Sequence, residues 1–164
     1  MYATKNDLSE STRTKVVQLL SARLADAIDL QTQMKQAHWN VKGPNFIALH
    51  ELFDKINEDV EDYVDLIAER VVQLGDIALG TARSVAQRSQ QTEYPLTISS
   101  GRDHVEAVAS TLATFGKAAR AAIDASDELH DKDTADIFTE VSRGIDKWLW
   151  FVEAHLQTDR GRDQ

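Results

Sequence analysis

The chain contains no cysteine, which removes disulfides, thiolate metal ligands and a cysteine nucleophile, and suits a reducing compartment. Only two prolines and seven glycines interrupt its 164 residues. So few breakers, beside abundant Ala, Leu, Asp and Gln, favour helix over sheet. No apolar run approaches the ~20 residues of a membrane span. The opening segment MYATKNDLSES has neither a basic n-region nor an apolar h-region. These absences predict a soluble, cytoplasmic protein. There is no Gly-rich phosphate loop, internal repeat or low-complexity segment. Nor is there a Glu followed three positions later by His, the pair with which facing helices build a metal site inside one bundle. Asp127 and His130 have that spacing but fall in a polar break.

What is present reads as one domain over residues 1–164, with short tails at 1–10 and 157–164. The formal net charge is −9. An acidic surface repels nucleic-acid phosphates and attracts cations, although it also serves plain solubility. Apolar residues recur at three- and four-residue steps from about Ser11 to Trp39, through Val16, Leu20, Leu24, Ile28 and Met34. Gly43-Pro44-Asn45 breaks and restarts the chain. A second helix runs from about Asn45 to Leu74, with Leu49, Phe53, Ile56, Val60, Ile67 and Val71 opposite an acidic face. A weakly periodic connection follows, from about Gly80 to Ser100, with room for a short helix. Its length suits a crossover between parallel helices. Ser100 is placed to cap a third helix running to about Ala125, and a fourth spans roughly Thr134 to Leu156. Four helices with a long connection between the second and third predict an all-α, ferritin-like four-helix bundle.

The second helix carries two pairs at i, i+4: His50 with Asp54, and Asp65 with Glu69. All four side chains fall within an arc of roughly 100°. Asp54 and Asp65 are nonetheless about 16 Å apart along the axis, beyond the first shell of one metal. The residue numbers of His50 and Glu69 add to the same total as those of Asp54 and Asp65. A second copy lying antiparallel in that register would set His50 and Asp54 beside the other copy's Glu69 and Asp65. A two-fold dimer would thus build two identical sites, about 22 Å apart. His38, across the Gly-Pro turn, can approach the same site from the first helix. Imidazoles with carboxylates suit Fe(II), and also Zn(II) and Mn(II). Taken singly, the same residues also fit surface ion pairs and a solvated face. Trp39 fits either a core position or an aromatic near the site.

QAHWNVKGPNFIALHELFDK, followed by DLIAERVVQLG and later by DTADIFTEVSRGIDKWLWFVEAHL, resembles the Dps proteins, or miniferritins, from about Asp7 to His155. The resemblance implies a cytoplasmic shell of twelve four-helix subunits. It implies ferroxidase sites at two-fold interfaces, where hydrogen peroxide, in preference to oxygen, oxidises Fe(II) for storage as ferric mineral. Carried over by position, His38, His50 and Asp54 come from one subunit, Asp65 and Glu69 from its partner, with Trp39 close by. Glu51, Glu58 and Asp62 are placed to collect ferric ions on an inner surface, although any one of them reads more simply as solvated helix face. Asp131, Asp133 and Asp136 match the acidic iron pore, although acids at that position also cap a helix. DNA-binding members often carry a lysine-rich tail. Here only Lys5 precedes the first helix, and TDRGRDQ offsets two arginines with two aspartates. Direct DNA binding is therefore expected to be weak. The competing reading is a nucleoid-associated, DNA-compacting protein in which iron chemistry is secondary.

Overall fold

The structure, a computed structural model, describes residues 1–157; the C-terminal segment 158–164, with its two arginines and two aspartates, lies outside the described residues. Five helices follow in order: α1 (Glu10–Asn40), α2 (Phe46–Gln73), α3 (Ala82–Arg88), α4 (Gly101–Glu128) and α5 (Lys132–Glu153). The four long ones form the bundle and α3 lies within the crossover, packed on α1. None is long and apolar enough to cross a membrane.

Three of the five helix starts use capping chemistry written in the sequence. Ser9 accepts a hydrogen bond from Thr12 N, Ser100 from Asp103 N and Asp131 from Thr134 N. Such caps contribute about 1 kcal/mol each by satisfying amides the helix leaves free. The apolar stripes meet in one core, where Leu20, Leu24, Phe53, Ile56, Leu112, Phe115, Phe138 and Ile145 are fully buried. α4 differs from expectation by running three residues past Ala125. It ends where His130 adopts a left-handed φ of 60°, with Asp131 N bonded back to Ser126 O at 3.0 Å. A left-handed residue commonly terminates a helix, and His tolerates that region better than most. With no glycine there, the sequence places the stop only within the polar stretch from Asp124 to Asp133, where the structure has it.

Two contacts fix the topology. Tyr2 N bonds Gly75 O at 2.6 Å, bringing the end of α2 to the chain's N-terminal segment. Lys42 N bonds Ser99 O at 3.1 Å, bringing the start of α4 back to the α1–α2 turn. The crossover therefore runs the length of the bundle, and α2 and α4 are parallel. Gly75, at φ 92°, also lets the N-terminal segment approach: a Cβ there would meet Tyr2 O at 2.8 Å.

A polar seam that the apolar pattern concealed clamps the crossover to α1. Buried Asp26 accepts from Gln90 N at 2.7 Å and pairs with Arg23 at 2.8 Å. Burial raises its carboxyl above the ordinary value despite these partners. Ser89 donates to Asp29 at 2.6 Å, and Gln33 links Asp29, Thr92 O and Thr111.

Candidate metal centre

The α1–α2 turn brings three of the five candidate ligands together. His38 lies in the last turn of α1, and His50 and Asp54 in the first three turns of α2. The two imidazoles stack with centroids 3.7 Å apart. Each ring donates from Nδ1 to the other residue's backbone carbonyl, both at 2.8 Å. The carbonyl of His38 is among those a helix C-terminus leaves without an intrahelical partner, so His50 satisfies it. A carbonyl can only accept, so the proton of each neutral ring sits on Nδ1 and both Nε2 atoms keep their lone pairs. Orientation of this kind is what prepares imidazole as a metal ligand. Phe46 packs against His50 at 5.1 Å on the other side.

Asp54 Oδ1 lies 3.9 Å from His38 Nδ1 and is held by Lys35 Nζ at 2.5 Å. The Lys35 hydrogen bond lowers the Asp54 carboxyl below its usual value. Lys35 is the functional neighbour missed in the sequence. The available signal was its position three residues before His38, on the same face of α1. A tethered ammonium thus stands beside the carboxylate of this candidate ligand.

Asp65 and Glu69 lie further along α2, both exposed. Among the described residues, no three His, Asp or Glu side chains converge so as to hold a metal within one chain. Trp39, beside His38, is 67% exposed, which removes the core reading. Glu51, Glu58 and Asp62 are exposed along α2.

The three candidate pore acids separate. Asp131 is buried: it caps α5, accepts from Thr134 Oγ1 at 2.7 Å and pairs with Arg70 Nη2 at 2.7 Å. Of the two readings its position allowed, the structure shows the cap, with Arg70 and Thr134 occupying its oxygens. Asp133 and Asp136 remain exposed, Asp133 with Arg70 at 3.6 Å.

The ferritin-like domain family model matches residues 17–161. The chain is 47% identical over 156 residues to the DNA protection during starvation protein of Agrobacterium fabrum, covering 95% of this chain and 96% of that one. Mycobacterium smegmatis Dps superposes with a TM-score of 0.92 at 30% identity, covering 99% of this chain and 98% of that one. Dps from Microbacterium arborescens, solved in a high iron form, gives 0.84 at 34% identity over 93% and 97% of the two chains. A bundle of this topology, matched along nearly its whole length, makes the chain a member of the ferritin-like family and of its Dps branch.

Proposed function

We propose that the protein is a ferroxidase and iron-storage miniferritin whose oxidation sites are completed between subunits. The observation that carries this reading is the paired imidazoles, each locked through Nδ1 with Nε2 free, beside a carboxylate kept ionised by Lys35. These donors make half a site, and Asp65 and Glu69 supply a matching acidic half at the opposite end of α2. In an antiparallel dimer, His38, His50 and Asp54 of one subunit face Asp65 and Glu69 of the partner subunit. Exposed Trp39, Phe46 and Ile47 around the half-site offer the apolar surface a partner would cover. The high iron form of the Microbacterium arborescens relative supports the choice of iron, although the same donors accept zinc or manganese.

Fe(II) is the substrate. The neutral imidazoles contribute selectivity, and the carboxylates favour the more highly charged Fe(III) product. Hydrogen peroxide is the preferred oxidant, since it takes two electrons from a pair of Fe(II) ions without releasing hydroxyl radical. Asp133 and Asp136 line the entry path into a twelve-subunit shell, and Glu51, Glu58 and Asp62 collect ferric ions on its inner face. Protection of DNA follows from removal of Fe(II) and peroxide. Two features weigh against compaction by direct binding: the charge of −9, and the docking of the N-terminal segment, where Tyr2 is bonded to Gly75.

The test mixes Fe(II) with the protein anaerobically, then adds peroxide or oxygen in separate runs, following ferric absorbance and the mass of the assembly. Fast oxidation by an assembled shell, lost in His50→Ala/Asp54→Ala, is the expected result. Unchanged oxidation in that variant would reduce the acidic face to a solvated surface.

A further inference from the structure

Tyr94, on the crossover, and His104, in the first turn of α4, form a buried pair outside the metal centre. They are 5% and 1% exposed, and the phenol oxygen lies 2.7 Å from His104 Nδ1. Burial pushes the phenol well above its ordinary range, so Tyr94 does not ionise alone. Burial also lowers His104, which keeps the ring neutral with its lone pair on Nδ1 toward the phenol. The proton is then on Nε2, which has no hydrogen-bond partner of normal geometry among the described residues. Backbone groups of Asn40 and Ile98 nevertheless favour the charged ring. The pair is thus a phenol joined to a base that can take its proton over one hydrogen bond, within an environment that partly accommodates the resulting cation.

The pair also connects with the end of α1. Tyr94 and Trp39 line the same groove, of about 820 Å³, and the residue after Trp39 is the Asn40 whose backbone acts on His104. His38, Trp39 and Asn40 therefore carry, in consecutive positions, a candidate ligand, an exposed indole and a contact to the buried base.

We propose that Tyr94 and His104 are a proton-coupled trap for one-electron oxidising equivalents that enter the protein at Trp39. The oxidant is a radical of the hydroxyl class, formed when a single Fe(II) reduces peroxide; this source rests on the ferroxidase reading, whereas the trap itself does not. The oxidant removes one electron from the Trp39 indole, and Tyr94 returns one electron to that indole. As it does so, the phenol O–H bond breaks and an N–H bond forms at His104 Nδ1. The products are a neutral phenoxyl radical and an imidazolium. One electron from a further Fe(II), which becomes Fe(III), reverses both changes as the proton returns to oxygen. An oxidising equivalent that would otherwise leave the surface is held inside the subunit until it is reduced.

Pulse radiolysis with azidyl radicals tests this on the iron-free, full-length protein, independently of any ferroxidase activity. Only Tyr2, Tyr63 and Tyr94 are present, and exposed Tyr2 is changed to Phe to remove direct oxidation. In that background, decay of the indolyl radical should be matched by growth of the phenoxyl radical. Tyr94→Phe should abolish most of that growth, and Trp39→Phe should remove most of the fast transfer. His104→Asn retains a hydrogen-bond acceptor but no base, and should slow the transfer about tenfold and erase its deuterium isotope effect. Full phenoxyl growth in Tyr94→Phe, undiminished transfer in Trp39→Phe, or an unchanged rate in folded His104→Asn would overturn the proposal. If His104→Asn does not fold by circular dichroism, the Tyr94 and Trp39 variants decide alone.

Discussion

Lys35→Met should strengthen binding of a divalent cation to the half-site. The ammonium sits 2.5 Å from Asp54 Oδ1, and both side chains are about a third exposed. A part-exposed ion pair of this kind contributes about 0.2–1 kcal/mol, which a metal must forfeit to reach the carboxylate. After displacement the ammonium stays tethered nearby. At about 8 Å, in a near-aqueous dielectric, its repulsion of a doubly charged ion adds about 1 kcal/mol. Together these give about 1–2 kcal/mol, or about five- to thirtyfold in affinity. Methionine preserves the apolar stem that Lys35 lays toward Trp39, where its Nζ is 5.9 Å from the ring centroid. Calorimetric titration with Zn(II), which is redox-inert, measures the effect without turnover. The gap between Lys35→Met and the parent protein should narrow at high salt, and Lys35→Arg should stay near the parent. Equal or weaker Zn(II) binding by Lys35→Met would show that the ammonium does not compete with metal for Asp54.

The remaining predictions concern the frame and the surface. Arg70→Met leaves buried Asp131 without its cationic partner and should cost about 3–5 kcal/mol in denaturant unfolding, with Asp131→Asn in the same chain recovering part of it. Asp26 has a folded pKa raised above 3.8, chiefly by burial, so the folded state holds that proton more tightly than the unfolded chain. Its contribution favours folding below that unfolded value and is lost as pH rises through the folded pKa; urea midpoints of Asp26→Asn should therefore gain on the parent as pH rises from about 3 to 7. In a low-salt gel shift, plasmid DNA should run unretarded by the iron-free assembly, and robust retardation would favour the compaction reading.

Residue types and spacing made much of the fold legible. The two-faced pattern of α2 fixed its span to within a residue at each end, and Ser100 marked the start of α4. The crossover was legible from its length, and its direction follows from the pairing of Lys42 with Ser99. The end of α4 was legible only to within a few residues, because a left-handed His130 terminates it where a glycine would have announced the stop. The clamp of Asp26, Asp29 and Gln33 was hidden for a related reason: these residues interrupt an apolar stripe, and only the crossover's arrival satisfies them. At the candidate metal centre, the helical repeat grouped His50 with Asp54 and the short turn brought in His38. The reciprocal imidazole–carbonyl bonds and Lys35 depend on side-chain directions that spacing does not encode. The cap at Asp131 was among the readings its position allowed, but its pairing with Arg70, 61 positions away in the chain, was not legible.

Complementation between two inactive variants measures most directly whether neighbouring subunits build the site. His50→Ala/Asp54→Ala keeps the acidic half intact, and Asp65→Ala/Glu69→Ala keeps the histidine half. Unfolded together in equal amounts and reassembled, they should recover about one quarter of the parent's initial Fe(II) oxidation rate, since half of the two-fold pairs are mixed and each mixed pair has one complete site. A mixture as inactive as either variant alone, in shells shown by mass to contain both, would contradict the account.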